Sequence, residues 1–308
     1  MNILLKLKVN RDNINCATCV KGKLSKKPFS CASKRANNVS QIIHSDVCGP
    51  INITSLGGAR YFVTFIDDFS RKVFVYVMKS KSEVFEKFMQ FKKFVENQTD
   101  KRIKVIRTDN GREYVNKNFY EMCVLNGIKH EKSAPYTPQQ NGLSERMNRT
   151  LVEKLRFMLI KSNLSKNMWV EALCAAVNIV NILPNKATEN KSPDELWYGK
   201  KPDINNIKVF GCRALAMIPE GKRHKLDEKV DECIFLRCAD DSRTFCLYNR
   251  TNGKIVISRD VVFFKDEMVN NINKINMNFV HVSSESETRS ALKLVLHRYI
   301  HSTGTINK

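Results

Sequence analysis

The fold of this chain is constrained most strongly by a change of hydrophobic period. Between Gln41 and Met78, three short runs rich in β-branched and aromatic residues are separated by Gly-Gly and Ser-Arg turn signals, which is typical of consecutive strands. Between Ser80 and Gln98 the apolar residues instead recur at three- and four-residue spacing, which indicates an amphipathic helix with Ser82 as its N-cap. The apolar face of this helix comprises Val84, Phe85, Phe88, Phe91, Phe94 and Val95. A strand meander that leads into a helix predicts an α/β domain.

The alternation of strands and helices continues beyond this helix. A short apolar strand at 104–109 ends at an Asn-Gly turn signal, and a short helix is indicated around 118–127. Longer helical patterns follow from about Gly142 to Lys161 and over 167–183. We therefore predict a mixed sheet with flanking helices.

Pattern and composition divide the chain into four regions. Residues 39–199 hold the predicted α/β domain, and short β-like runs with turns between them predict a small all-β module at 200–267. Residues 1–38 form a basic arm without a sustained period. Residues 268–308, which are rich in Asn and then in Ser and Glu, are expected to be flexible.

The charge balance points to a polyanionic partner. Lys and Arg total 52 against 31 Asp and Glu, a net charge of +21, which is more than solubility requires. No run approaches the roughly 18 apolar residues of a spanning helix, and Lys6 interrupts the apolar start, so we expect neither a membrane anchor nor a signal peptide. Several of the 10 cysteines lie within apolar segments, which favours a reducing compartment.

Three acids occupy positions that packing alone would not favour. Asp46 interrupts a run otherwise suited to burial, Asp109 ends an apolar strand, and Glu145 opens a long helix. Thirty-five residues, Asn110 to Ser144, lie between the last two acids. Each acid also has a purely structural explanation: Asp46 as a hydrogen-bonded strand-end residue, Asp109 as a turn initiator, and Glu145 as a partner of the helix dipole or of Arg149. Their joint occurrence favours a catalytic role.

The segments around these acids resemble a known family. IHSDVCGP, RYFVTFIDDFSR, RTDNGREY, PYTPQQNGLSERMNRTL and KVFGCRAL are similar to the integrase segment of copia-type LTR-retrotransposon Pol polyproteins, over about Cys16 to Asp266. The resemblance implies a ribonuclease H-like core whose D,D-35-E carboxylates hold Mg²⁺ or Mn²⁺, and it assigns that role to Asp46, Asp109 and Glu145. Arg112 departs from the family pattern, which usually has a second Gly there.

Phosphoryl-transfer chemistry agrees with such a set of acids. Divalent cations activate the attacking hydroxyl and neutralise charge on the phosphoryl oxygens, and carboxylates are suitable ligands for them. Without a cation, two carboxylates 4 Å apart repel each other by about 4 kcal/mol at an effective dielectric constant of 20. Asp67 and Asp68 are rivals for the first position, but the family places its first Asp in the first strand. We expect these two at the site rim or as capping residues.

A flexible loop and one helix face are candidates for contacts with DNA. The loop PYTPQQNG precedes the helix that carries Glu145, and an ordinary mobile connector is its alternative explanation. At 100° per residue, two arginines share the helix face of Glu145, opposite an apolar stripe formed by Leu143, Met147, Leu151, Leu155 and Met158. The residues to which we assign DNA contacts are Tyr136, Gln139, Gln140, Asn141, Arg149 and Arg156. We predict that Trp169 and Trp197 are core residues.

Cys16 and Cys19 form a closely spaced thiol pair in a Lys-rich segment. Zinc needs four ligands, and no His precedes His44. By resemblance, the pair is the second half of a His-His-Cys-Cys zinc module whose histidines would lie upstream. We therefore expect a truncated zinc-binding arm that takes Zn²⁺ only if the missing ligands are supplied.

The leading hypothesis is a metal-dependent retrotransposon integrase that trims the 3′ ends of element DNA and joins them to target DNA. The resemblance also implies a homo-oligomer that acts in the nucleus, with a cytoplasmic pre-integration stage. The alternative is a catalytically inactive DNA-binding remnant, in view of the incomplete zinc module and Arg112. A cellular nuclease of the same fold is the third hypothesis, and the PYTPQQNG and VFGC segments argue against it.

Overall fold

Two five-stranded sheets follow one another along the chain. The computed structural model describes residues 35–133, 141–204, 207–239 and 244–268. The strands of the first sheet are β1 (Ile42–Cys48), β2 (Tyr61–Asp67), β3 (Val73–Met78), β4 (Val105–Thr108) and β5 (Lys129–Lys132). Their order in space is β3-β2-β1-β4-β5, with β1 to β3 antiparallel and β1, β4 and β5 parallel. The first sheet is therefore mixed, as predicted.

Within the residues that the structure describes, five α-helices accompany this sheet. They are α1 (Val84–Thr99), α2 (Lys117–Leu125), α3 (Gly142–Ser162), α4 (Trp169–Ile182) and α5 (Pro193–Tyr198). The prediction of Ser82 as the N-cap of the first helical segment was wrong. Ser80 caps a 3₁₀ turn that leads into α1, and Glu83 closes a capping box by accepting from the Ser80 backbone N–H at 2.8 Å.

The helices cover both faces of the sheet because residues alternate along each strand. Val63 and Phe65 of β2 pack on the side of α1 and α2, whereas Phe62 and Ile66 pack against α3 and α4. Both tryptophans are core residues, as predicted: Trp169 is 1% exposed and Trp197 is 8% exposed. The sheet is thus the middle of three layers, and β1 lies at its centre.

The second sheet is antiparallel throughout. Its strands are β6 (Cys212–Met217), β7 (Val230–Cys238), β8 (Phe245–Asn249), β9 (Ile255–Ser258) and β10 (Val261–Met268), in the order β10-β6-β7-β8-β9. This arrangement confirms the small all-β module. The limits of the four regions predicted from sequence stay predictions.

The β module packs directly against the α/β core. Leu236 and Cys246 join the apolar cluster formed by α3 and α4, and Arg237 Nε donates to Glu171 Oε2 at 2.9 Å. Gly211 enters the module with φ of +84°, and a Cβ there would lie 2.2 Å from Ser162 Cβ. Only glycine permits so close an approach of the module to the end of α3.

A membrane-spanning helix needs about 20 predominantly apolar residues. In the part of the chain that the structure describes, no single helix is long and apolar enough to cross a membrane. Lys166–Ile182 and Lys186–Tyr198 meet the requirement only as a pair, and this pair is bent by 43°.

Candidate active site

Asp46 and Asp109 lie on neighbouring strands at the centre of the first sheet. Asp46 belongs to β1, and Asp109 directly follows β4. The parallel register pairs Ile43 with Ile106 and His44 with Arg107. Carried two residues further, the same register brings Asp46 beside Asp109. Adjacent residues of parallel strands point to the same side, so both carboxylates lie on the face covered by α3.

The carboxylate of Asp46 is half-buried and accepts two hydrogen bonds. Its Oδ1 accepts from the Val47 backbone N–H, and its Oδ2 accepts from Asn148 Nδ2, both at 2.9 Å. Burial raises the pKa of Asp46 to about 6, and the negative charges of Asp109 and, more weakly, Glu145 act in the same direction. The two hydrogen bonds oppose this rise without cancelling it. Both other acids are therefore close enough for their negative charges to raise the pKa of Asp46.

The loop after β4 holds the second acid. Asp109 Oδ1 accepts from the Gly111 backbone N–H at 3.0 Å. A Cβ on Gly111 would lie 2.7 Å from Glu113 Cδ and 3.0 Å from Asp109 Oδ1, so a larger residue here would displace the ends of both acidic side chains. An open groove of about 910 Å³ begins here, and its walls include Lys81, Asp109 and Arg112. The cation that departs from the family pattern thus lines a groove beside Asp109.

Glu145 lies in the first turn of α3, between two buried polar residues. Ser144 is fully buried and donates through Oγ to Asn141 Oδ1 at 3.0 Å. Asn141 in turn donates through Nδ2 to the Ser45 carbonyl at 3.0 Å. Together with the hydrogen bond from Asn148 to Asp46, these contacts hold the start of α3 against β1. They thereby determine the position of Glu145 relative to β1.

The predicted apolar stripe of α3 was only partly right. Leu151 and Leu155 are buried as expected, whereas the other three members, Leu143, Met147 and Met158, are half-buried at its edge. The centre of the buried face instead includes Ser144, Asn148 and Leu159. The apolar pattern does not reveal Ser144 and Asn148, because Ser and Asn are mostly exposed in folded proteins. Their four-residue spacing, continued by Leu151 and Leu155, is the signal that could have revealed them.

The residues predicted to contact DNA have different surroundings. Arg149 and Arg156 are exposed on α3. Asn141 is 1% exposed, and its amide serves to hold β1. The other loop residues, Tyr136, Gln139 and Gln140, and the thiol pair Cys16 and Cys19, lie outside the described residues.

Asp67 and Asp68 form a separate network at the start of β1. Asp67 accepts from the backbone N–H groups of Ser40 and Ser70, each at 2.7 Å. Asp68 accepts from the Ala36 backbone N–H at 2.7 Å and from His44 Nε2 at 3.0 Å. Burial acts to raise the pKa of Asp68. The hydrogen bonds from His44 and the Ala36 backbone, together with the positive charge of Arg71, outweigh burial and hold this pKa at about 2. Asp67 and Asp68 therefore cap backbone N–H groups, as expected under the capping alternative.

The chemistry of the three acids suits a divalent cation. Their oxygens are the ligands that Mg²⁺ and Mn²⁺ prefer, and their mutual repulsion is what a cation would relieve. Among the described residues, no group of three His, Cys, Asp or Glu side chains is already gathered as a metal site. The donor set therefore fits the cation in chemical type.

Two domain families match this chain. Residues 36–138 match the integrase core domain, and residues 126–169 match a second description of the same domain. Residues 212–276 match the retroviral polymerase SH3-like domain. The first two matches cover all three acids, and the third covers the β module.

Curated relatives of this chain include two plant polyproteins. The chain is 44% identical over 253 residues to the retrovirus-related Pol polyprotein from transposon TNT 1-94 of Nicotiana tabacum, across 82% of this chain and 19% of the relative. It is 36% identical over 251 residues to the corresponding polyprotein from transposon RE1 of Arabidopsis thaliana, across 81% and 17%. The chain thus spans less than a fifth of either relative.

Solved structures of similar fold include two viral examples. A chain of the simian T-cell lymphotropic virus intasome, solved with PP2A regulatory subunit B56 gamma, has a TM-score of 0.48 and 19% identity, over 79% of this chain and 84% of that one. The HTLV-2 integrase catalytic core domain with magnesium has a TM-score of 0.41 and 23% identity, over 53% and 99%.

Proposed function

Since this chain carries an integrase core domain followed by a retroviral polymerase SH3-like domain, as the integrase segment of a retrotransposon Pol polyprotein does, we propose that it trims and joins DNA ends. The substrate is the element's DNA, whose 3′ ends are trimmed by hydrolysis. The freed 3′-hydroxyl then attacks a phosphodiester of target DNA, forming one P–O bond while the original P–O bond of the target strand breaks.

One observation carries this proposal: in a chain of net charge +21, three neighbouring acids have no cationic partner among the described residues. Within the described residues, no Lys or Arg forms an ion pair with Asp46, Asp109 or Glu145. The described acids elsewhere include many that are paired, such as Glu171 with Arg237. Repulsion among unpaired carboxylates is costly in a half-buried site, which favours a role in holding a cation.

Each acid has a distinct part in the proposed reaction. Asp46 and Asp109 would hold two Mg²⁺ or Mn²⁺ cations, and Glu145 would supply a further carboxylate ligand. Bound Mg²⁺ or Mn²⁺ supplies activation of the attacking oxygen and neutralisation of the phosphoryl charge. Asn148 and the Val47 backbone orient the Asp46 carboxylate, and the Gly111 backbone orients that of Asp109. Arg149 and Arg156 on the exposed side of α3 are proposed to bind DNA phosphates.

The test is strand transfer by the purified chain with Mg²⁺ or Mn²⁺. We expect Asp109→Asn to abolish joining while DNA binding stays close to wild type, because the amide keeps the shape but not the charge. The matched control is Asp260→Asn, an exposed acid in the β module, which should join DNA normally. Equal joining by Asp109→Asn and wild type would refute the assignment.

A non-catalytic DNA-binding remnant is the second candidate. It is favoured by Arg112, a cation in the groove beside Asp109 where the family usually has glycine. Under this alternative, wild type binds DNA but joins it no better than a variant lacking all three carboxylates. The same strand-transfer experiment therefore separates the two functions.

The remaining partners follow from the integrase assignment. We propose that the chain acts as a homo-oligomer on element ends and target DNA, in the nucleus after a cytoplasmic pre-integration stage. Zinc is proposed to bind Cys16 and Cys19 only when further ligands are supplied. The HTLV-2 integrase catalytic core domain was solved in dimeric and trimeric forms. These forms are properties of the HTLV-2 protein.

A further inference from the structure

Thr64 lies directly across the sheet from Asp46. The antiparallel register of β1 and β2 pairs the two residues, so their side chains emerge on the same face. Thr64 is completely buried. Its Oγ1 lies 3.0 Å from Asn148 Oδ1 and 3.3 Å from the Asp46 carbonyl oxygen. A hydroxyl, an amide and a carboxylate thus form a chain from β2 through α3 to β1.

While Asp46 is ionised, the hydrogen bonds that link Thr64, Asn148 and Asp46 can point in only one direction. A carboxylate only accepts hydrogen bonds, so the Asn148 atom that faces Asp46 must be the NH₂ group. The amide oxygen then faces Thr64 and has to accept from the hydroxyl. If the amide were turned over, its oxygen would face the carboxylate, and two acceptors would meet. The Asp46 carboxylate thus selects the amide orientation, and the Thr64 hydroxyl supplies the donor that the Asn148 oxygen needs in that orientation.

The hydroxyl of Thr64 is not what docks α3 onto the sheet. Asn141, the N-cap about two turns before Asn148, donates to Ser45, and Leu151 and Leu155 bury their side chains further along the helix. Loss of the hydroxyl would leave these contacts in place. Loss of the hydroxyl would leave the buried amide oxygen of Asn148 without its hydrogen-bond donor and would remove one restraint on the orientation of the amide.

We propose that Thr64 is a positioning residue, which acts through Asn148 to hold the Asp46 carboxylate in its working orientation. The proposal rests on the proposed integrase function of Asp46. Among the described residues, the Asp46 side chain accepts hydrogen bonds from Asn148 and otherwise only from the backbone N–H of the next residue, Val47. Its orientation toward Asp109 therefore depends on the amide, and the amide depends on Thr64.

Two substitutions of Thr64 in the full chain test the positioning role. Thr64→Val keeps the shape and removes the hydroxyl, and the kcat of strand transfer should fall about tenfold, the equivalent of one hydrogen bond, while the KM for DNA stays constant. Thr64→Ser retains the hydroxyl and should restore most of kcat. The control is Thr188→Val, which removes another buried hydroxyl on the connection between α4 and α5 and should leave kcat unchanged.

A second readout does not depend on activity. The side-chain amide signals of Asn148, identified by their loss in Asn148→Asp, are followed by NMR of the asparagine-labelled protein. In Thr64→Val they should shift toward those of solvent-exposed asparagines and exchange faster with water, and in Thr64→Ser they should stay near wild type. If wild type joins no DNA, the proposed function fails and the amide signals still decide the contact. Unchanged amide signals, or an unchanged kcat, in Thr64→Val would overturn the positioning role.

Discussion

The two faces of the first sheet share the same strands but differ in what they are built from. Toward α1 and α2 the packing is aromatic: Phe65 stacks on Phe91 with ring centroids 4.5 Å apart, and both are fully buried. Toward α3 the face begins with equally buried residues but is interrupted by Asp46 and Thr64. Alternation along a strand lets one face supply stability while the other carries polar chemistry. A single-residue slip of register would exchange the two.

The largest effect on stability is expected on the aromatic face. Phe91→Ala removes a fully buried ring and leaves a cavity, so the free energy of unfolding should fall by about 3 to 5 kcal/mol. Chemical denaturation measures this loss. Phe157→Ala, at a ring that is 69% exposed on α3, should change stability by less than about 0.5 kcal/mol. Similar losses at both positions would break the contrast between the faces.

On the polar face, a small change should affect activity more than stability. The added methyl of Gly111→Ala pushes the end of the Glu113 side chain aside and presses on Asp109 Oδ1 at 3.0 Å, so strand transfer should fall by at least about tenfold, toward the hundredfold expected for a displacement near 1 Å. Gly57→Ala is the matched control, since nothing lies within 4 Å of a Cβ there. Joining rates and melting curves of the two variants are compared. A normal rate for Gly111→Ala would mean that the Asp109 loop need not be held so tightly.

A smaller effect is expected from His130, which lies beside Phe119 near the aromatic face. Burial, and then the positive charge of Lys132, lower the pKa of His130 from 6.5 to about 4. The unfolded chain therefore takes up a proton before the folded chain does. Stability present above pH 6.5 should be lost as the pH falls toward 4, by about 2 kcal/mol after allowance for partial exposure.

Unfolding free energies measured across this pH range check the contribution of His130. His130→Gln, which can still hydrogen-bond to Thr108 but does not titrate, should lose correspondingly less stability on acidification. If the variant and wild type lose stability in parallel, His130 does not contribute to the pH dependence.

Much of the fold could be predicted because its elements follow simple hydrophobic periods. The aromatic stripe of α1 is buried largely as expected. Strand β5 was missed because its four residues, Lys129 to Lys132, are charged or titratable and lie at a sheet edge, where no apolar period is required. Helix α5 was also missed, although Ser192 followed by Pro193 is a readable start signal.

The candidate site was predictable in its acids but not in their support. Asp46, Asp109 and Glu145 could be proposed from motif and spacing. Thr64 and Asn148 could not, because their importance arises only when β2 and α3 meet at β1 in space. The capping box of Ser80 and Glu83 differs from this, because its S-x-x-E spacing can be read directly from the sequence.

Calorimetric titration of the purified chain with Mn²⁺ at neutral pH tests most directly whether the unpaired acids of the polar face form a cation site. We expect saturable binding by wild type and by Asp260→Asn, and loss of that binding in both Asp46→Asn and Asp109→Asn, with all four proteins folded by circular dichroism. Indistinguishable Mn²⁺ binding curves for wild type and the two site variants would contradict the account.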